Sequence, residues 1–487
     1  MNGSFIQPGL RAGVTALAGM CLCACAVNRH APRAGELIDL PKQYAAAPVD
    51  AMDVRTIAEA VDSPELTELL DLAFGQNLNL KAAWARVSRA EALAGEARAG
   101  LFPSVRGGFD AERGKTPVDQ STAPTNARAA PGGASGGASG TRNHFSGSVG
   151  AAYEIDLWGR LRGNARAALL DAEAIRRDAK GLSVSLAAEV AEAWAALAAS
   201  RERRDMLRAQ LETSENILEL TRLRFEEGLV GAGDVAQQAR QTESVRGSMI
   251  LIEIELRTLE NRLTVLIGRV PGQPLPVEQT VLPAPPPVMD PGLPGDLLEK
   301  RPDIQAARLR LEGADERTAA AVADRLPRLR LNANIFDQAE RVSDLFSDVF
   351  WSLAASAEQD LYTGGRRSAA VTGAESAAEA ALFAYGQTLL EALREVEDAL
   401  VLARRQREHV ENLRQQLGFA EAAFEAALRR YREGDVDFLS VLITLQTANR
   451  VDLELLDARR DLFSSRVQLW RALGGGWHET QETDHGQ

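Results

Sequence analysis

From Arg366 to Glu433 an apolar or aromatic residue returns every seventh position: Leu389, Val396, Ala403, Val410, Leu417, Phe424 and Tyr431. The stretch has no proline and is rich in Ala, Leu, Glu, Arg and Gln, all good helix formers. A helix of roughly 65–70 residues rises about 100 Å, more than an ordinary globular domain is wide. A seven-residue period kept this long predicts a helix wound against neighbours in a coiled-coil-like wall. Taken alone, the ladder fits a plain filament or a long bundle equally well.

The stretch occurs twice. Arg224-Phe225-Glu226-Glu227-Gly228 is echoed by Arg430-Tyr431-Arg432-Glu433-Gly434. Asp156-Leu157-Trp158-Gly159-Arg160 is echoed by Asp360-Leu361-Tyr362-Thr363-Gly364-Gly365-Arg366, and Leu101-Phe102-Pro103 by Arg325-Leu326-Pro327. The landmarks keep their order, so the chain reads as a tandem duplication with copies of about 200 residues.

Inside each copy, two segments change rhythm. Val105, Gly107, Phe109 and Ala111 alternate with Ser104, Arg106, Gly108, Asp110 and Glu112. Tyr153, Ile155 and Leu157 alternate with Glu154 and Asp156; Leu329, Leu331 and Ala333 with Arg328, Arg330 and Asn332; Trp351, Leu353 and Ala355 with Ser352, Ser356 and Glu358. A period of two predicts strands with one apolar and one polar face, at about 104–112, 145–157, 328–336 and 350–361. A Gly-rich, low-complexity loop, 113–142, joins the first two. Each strand pair feeds a long helix, a turn (228–234, then 434–437) and a returning helix.

The flanks complete the organisation. Arg11, an apolar run and Leu22-Cys23-Ala24-Cys25 form a secretory leader, 1–24, whose end resembles a bacterial lipobox with Cys25 as the acylated residue. An ordinary cleaved leader with incidental cysteines is the alternative. Acylation of Cys25 would leave no free thiol in the mature chain, removing disulfides and thiol chemistry. Residues 25–62 read as a tether, 63–270 as the first repeat, 271–296 as a Pro-rich linker, 297–477 as the second repeat and 478–487 as a disordered tail. The net charge of −13 argues against nucleic acid. No run of eighteen uninterrupted apolar residues predicts a transmembrane helix.

Four alternating strands constrain function. A sheet in lipid can leave no free edge, and closed membrane barrels begin at about eight strands. A dimer or trimer must therefore complete the barrel, with Arg106, Asp110, Glu112, Glu154, Asp156, Arg328, Arg330 and Glu358 lining water and the apolar sets facing lipid. A small soluble sheet capping a helical bundle is the competing pattern.

Tyr153-Glu154-Ile155-Asp156-Leu157-Trp158-Gly159-Arg160, Arg301-Pro302-Asp303-Ile304, Arg430-Tyr431 with Gly434, Phe438-Leu439-Ser440-Val441-Leu442 and Ala472-Leu473-Gly474-Gly475-Gly476-Trp477 resemble the TolC/OprM-type outer-membrane efflux proteins of the lipoprotein-bearing NodT branch. The resemblance covers nearly the whole mature chain. It implies a mainly α fold with a membrane β-barrel portion: a homotrimer with a shared twelve-stranded barrel and a helical tunnel. It also implies a lipid-anchored outer-membrane location and a tripartite pump, with a periplasmic adaptor and an inner-membrane RND-type transporter as partners. Gating is expected at the periplasmic helix tips. There the resemblance puts Asp234 and Tyr431 at the positions of a hydrogen-bonded link. The sequence departs from the family pattern at Ser440 and Ile443, where aspartates stand in relatives, and at Val436, where an arginine joins the link. Asp435 and Asp437 lie about one turn lower as substitutes for the acidic ring. The bland reading is that Asp234 caps its helix, Tyr431 continues the ladder and the aspartates solvate a turn.

Other signals carry little. Gly133-Ala134-Ser135-Gly136-Gly137 spells a nucleophile elbow without strand–turn–helix context, and Gly231-Ala232-Gly233 follows a helix rather than a strand. The five histidines have no ligand spacing. The expectation is no enzyme and no cofactor beyond the lipid on Cys25. A protein-secretion duct and a pore-less periplasmic scaffold or adaptor are the functional alternatives.

Overall fold

A computed structural model describes residues 41, 43–45, 57–117, 139–433 and 435–475. Cys25 and the leader, most of the tether, residues 118–138 of the Gly-rich loop and the tail beyond 475 lie outside the described residues. The order of elements is α1 (Ile57–Val61), α2 (Pro64–Gln76), α3 (Leu78–Ala99), β1 (Ser104–Pro117), β2 (Ser139–Ile155), α4 (Arg160–Glu226) and α5 (Ala232–Leu266). It continues with α6 (Leu297–Lys300), α7 (Pro302–Ala323), β3 (Arg328–Ala339), β4 (Phe350–Glu358), α8 (Arg366–Arg432) and α9 (Phe438–Ala472).

The duplication holds to the residue. α3 and α7 both have 22 residues, α4 and α8 both have 67, and α5 and α9 both have 35. The copies differ in their strand hairpins, in the turn from strand to long helix (156–159 against 359–365) and in the helix before the 22-residue one, 13 residues in α2 and 4 in α6. β1 and β3 run further than the alternation alone suggests, to Pro117 and Ala339, β2 spans Ser139–Ile155 rather than 145–157, and β4 stops at Glu358 rather than 361.

Two compact units are present. One is built around 91–170 and 312–379, the other around 57–90, 171–311 and 380–475. The first unit holds the sheet, a four-stranded antiparallel meander in the order β1-β2-β3-β4. Here α4 and α7 approach closely: a Cβ on Gly163 would lie 3.1 Å from the Glu316 carbonyl oxygen and 3.3 Å from Ala320 Cβ. The turns from strand to long helix need left-handed backbone, supplied by Gly159 (φ 83°) and by Gly364 and Gly365 (φ 57° and 85°).

The second unit holds the apolar core. Trp194 packs edge-on against Phe463 at 6.3 Å, among Leu66, Leu69, Val190, Leu197, Leu263 and Val467. Leu389, Ala392, Val396 and Leu469 form a second cluster with Tyr385 and Ile304. Burial is what makes α4 apolar enough to resemble a membrane span: 72% of its most apolar 18-residue window is buried inside the chain.

The heptad ladders divide along their length. Leu389, Val396, Ala403 and Val410 are buried, whereas Leu417, Phe424 and Tyr431 are half-buried. In α4, Val190 and Leu197 are buried, but Leu211 and Leu218 are half-buried and Phe225 is exposed. Beyond Leu207, toward the tip, the buried residues of the first hairpin are mostly polar: Ser214, Thr221, Gln238 and Thr242, with Val245 beside them. Ser214 and Thr242 hydroxyls meet at 3.0 Å, and Gln238 Nε2 donates to the Ser214 carbonyl at 3.0 Å. The seven-residue spacing of Val190, Leu197, Leu211, Leu218 and Phe225, broken at Arg204, predicts an apolar ladder; its lower half is not the buried interior.

The two copies close their hairpins alike. The Gly228 and Leu229 N–H groups donate back to the Phe225 and Arg224 carbonyls at 2.9 and 2.8 Å, with Gly228 at φ 72°. Gly268 and Gly474 end α5 and α9 in the same way, at φ 76° and 99°. Each of these two also lies against the junction before its copy's 22-residue helix. A Cβ on Gly268 would meet the Gln76 oxygen at 2.4 Å, and one on Gly474 the Lys300 oxygen at 2.8 Å. Asn77 Nδ2 donates to the Leu266 carbonyl, and Arg301 Nη1 to the Ala472 carbonyl, both at 2.9 Å. Burial pulls the Arg301 guanidinium down, but Asp303 and Glu395 hold it above its ordinary value.

Candidate functional site: the two-faced sheet and the hairpin tips

Pairing register decides which residues share a face of the sheet, because directly opposed residues point the same way. Arg106 opposes Gly150, which opposes Asn334, which opposes Ser352. Asp110 joins Ser146 and Gln338, Glu112 joins His144, Glu154 joins Arg330 and Ser356, and Arg328 joins Glu358. The intervening rows are Val105, Ala151, Ala333, Leu353 and Gly107, Val149, Ile335, Trp351. One face is thus mainly polar across all four strands and the other mainly apolar. On the apolar face Val105, Trp351 and Leu353 are each more than 70% exposed. Exceptions on the polar face are Ala152, Ala354 and Phe336 stacked on Phe350 at 5.7 Å; on the apolar face Asp337 opposes Gly147 and Arg113 opposes Asn143.

Charges at the helix-proximal end of the sheet alternate. Arg160 reaches Glu154 at 2.6 Å and Asp324 at 3.8 Å; Arg328 reaches Asp324 at 2.5 Å; Arg330 lies 3.6 Å from Glu358 and 3.9 Å from Glu154. Asp156 does not belong to this face. It lies one residue beyond β2 and accepts from the Leu161 and Arg162 N–H groups at 3.1 and 2.9 Å, capping the start of α4. Unsatisfied N–H groups at a helix start attract a carboxylate, which the alternation could not reveal.

The hairpin tips lie in the second unit. Asp234 accepts from the Gly231 N–H at 3.0 Å, closing the start of α5. In the second copy the carboxylate moves to the cap position: Asp437 accepts from the Ser440 N–H at 3.0 Å and its hydroxyl at 2.5 Å. Those bonds hold the Asp437 carboxyl below its ordinary value, the hydroxyl contributing most. Asp435 pairs with Arg430 at 2.8 Å. Tyr431 does not hydrogen-bond to Asp234. Its ring lies beneath the Arg224 guanidinium, 5.0 Å from the centroid, and against Phe438 at 5.8 Å. The link between the two tips is a cation on an aromatic face, because Asp234 is occupied by its own helix start. Sequence reasoning missed Arg224 and Phe438 as tip residues. Both already stood in quoted motifs, Arg224 in the repeated Arg-Phe/Tyr pair.

Among the described residues no group of His, Cys, Asp and Glu could hold a metal ion. Residues 69–269 and 293–475 match the family model described as outer membrane efflux protein. The chain belongs to the outer membrane efflux protein family. The family member OpmQ of Pseudomonas putida, a pyoverdine export outer membrane protein, is 30% identical over 429 residues, 87% of this chain and 89% of its own. Outer membrane protein OprJ of Pseudomonas aeruginosa is 28% identical over 481 residues, 95% and 94% of the two chains. The structure of the outer-membrane channel OprN superposes with a TM-score of 0.81 at 27% identity, covering 90% of this chain and 97% of that one. VceC of Vibrio cholerae gives 0.76 at 25% identity, covering 88% and 100%. This outer-membrane efflux protein therefore has the TolC-like fold: barrel strands joined to tunnel helices in two tandem copies. Its family and relatives are channel and efflux components.

Proposed function

We propose that this chain is the outer-membrane duct of a tripartite efflux pump, working as a homotrimer with a periplasmic adaptor and an inner-membrane RND-type transporter. The observation that carries the reading is the two-faced sheet. Its outer strands β1 and β4 are edges, and its apolar face exposes Val105, Phe109, Val149, Trp351 and Leu353. Lipid tolerates no open edge, so two or more chains must pool their four strands, and the barrel proposed here takes three. Arg106, Asp110, Glu112, Glu154, Arg328, Arg330 and Glu358 then line the water, and the apolar rows meet hydrocarbon.

The long hairpins extend that conduit into the periplasm, and the tips around Arg224, Tyr431, Asp435 and Asp437 form its gate. Relatives are named for pyoverdine, toluene and antibiotic efflux. Such different cargoes suit a water-filled passage whose selectivity resides in its partners. A lipid on Cys25 anchors the mature N-terminus; Cys25→Ser should remove a diacylglyceryl-sized mass and leave the leader uncleaved. The native mass of the detergent-extracted protein tests the assembly. Three chains are expected, and a monomer would overturn the shared barrel in favour of a pore-less scaffold.

A further inference from the structure

Because α4 matches α8 in length and α5 matches α9, positions correspond one to one between the copies. Counted from the helix starts, Arg201 corresponds to Arg407, Arg257 to Phe463 and Glu260 to Arg466. In the first copy a carboxylate joins the two helices of the hairpin. Glu260 of α5 lies 3.8 Å from Arg201 Nη2 of α4 and accepts from Arg257 Nη1 at 2.9 Å. Arg201 Nη1 also donates to the Val277 and Gln279 carbonyls at 2.9 and 3.0 Å, so each cation there has an acceptor.

In the second copy the carboxylate has become a second cation. Arg466 is 6% exposed, and its Nε and Nη1 have no hydrogen-bond partner among the described residues. Its neighbours along α9, Leu462 and Leu469, belong to two apolar clusters. The charge that acts on it is Arg407, of like sign, which stands exposed on α8. A buried guanidinium with unmet donors beside a second cation calls for an anion. The planar fork of a guanidinium matches the oxygens of a phosphate or carboxylate through parallel N–H groups. The exposed Arg407 gives such an anion a way in from water.

We propose that Arg466 and Arg407 bind a small free oxyanion of the phosphate or sulfate class, which ties α9 to α8 as the Glu260 carboxylate ties α5 to α4. The site does not depend on the efflux reading.

Melting and titration calorimetry of the full-length, detergent-extracted protein, freed of phosphate and sulfate, test it with inorganic phosphate as the probe. Arg466→Glu restores the first copy's pairing of acid and arginine. Without phosphate it should melt above the wild type. Its response to added phosphate reports the general effect of the salt, and the wild type should gain clearly more than that. Arg407→Gln, at an exposed position, should weaken phosphate binding at least about tenfold. A wild type that responds no more than Arg466→Glu would overturn the proposal. So would phosphate binding that Arg407→Gln leaves unchanged, which would place the anion elsewhere. A wild type blind to phosphate, with chains that dissociate more readily in Arg407→Gln, would also overturn it and give the arginines to a carboxylate of a neighbouring chain. Should Arg466→Glu fail to fold, Arg407→Gln alone decides.

Discussion

At the scale of single residues, the tips turn on which partner each side chain already has. Asp234 is committed to its own helix start, so the contact between the tips falls to Arg224 and Tyr431. Such a contact contributes about 0.5–1 kcal/mol at a partly exposed site. Arg224→Gln and Tyr431→Ala should therefore raise single-channel conductance or open time more than Asp234→Ala does. Equal behaviour of Arg224→Gln and wild type would count against it. Asp437 gives a pH signature. Its carboxyl titrates below the ordinary 3.8 because Ser440 donates to the charged form. A depressed folded value means the cap's contribution is complete above the unfolded value and fades as pH falls through the folded one. Exchange of the Ser440 amide should accelerate in that acid window in the wild type and be fast already at neutral pH in Asp437→Ala.

At the scale of elements, the paired glycines separate backbone strain from steric contact. Gly228, Gly268 and Gly474 all have positive φ, yet only the last two face a backbone oxygen closer than a real Cβ allows. Gly228→Ala should cost about 1 kcal/mol, whereas Gly268→Ala and Gly474→Ala should cost clearly more, read as larger drops in melting temperature. Three equal drops would mean the junction contacts are not rigid. Helices, strands and duplication were legible because their periods and landmark residues persist over many positions. The interior of the lower first hairpin was not. Leu211, Leu218 and Phe225 carry the seven-residue period there, but Ser214, Gln238 and Thr242 face inward because they satisfy one another across the hairpin, and Thr221 because it donates to the Ile217 carbonyl of its own helix. Hydrophobic spacing contains no record of such mutual hydrogen bonding. Asp156 misled for a related reason: its even spacing fits the strand, while its carboxylate answers the open N–H groups of the helix that follows.

At the scale of the whole molecule, the four alternations anticipated one polar and one apolar face, and the register made both continuous across the sheet. The apolar face should therefore reject charge where the polar face accepts it. Leu353→Arg should lower the yield of folded protein in the outer membrane, with a penalty of about 2–4 kcal/mol if the site lies near mid-bilayer. Ser352→Arg, one residue away and on the opposite face, should insert normally and alter ion selectivity. Equal insertion of the two would remove the distinction between lipid side and water side. The central claim is that chains of this protein enclose a continuous aqueous passage. Planar-bilayer recording of the purified wild-type protein tests it most directly. Discrete ion-conducting steps, carried by an assembly of three chains, are predicted; a membrane-inserted protein that passes no current under any condition in which the tips are loosened would contradict it.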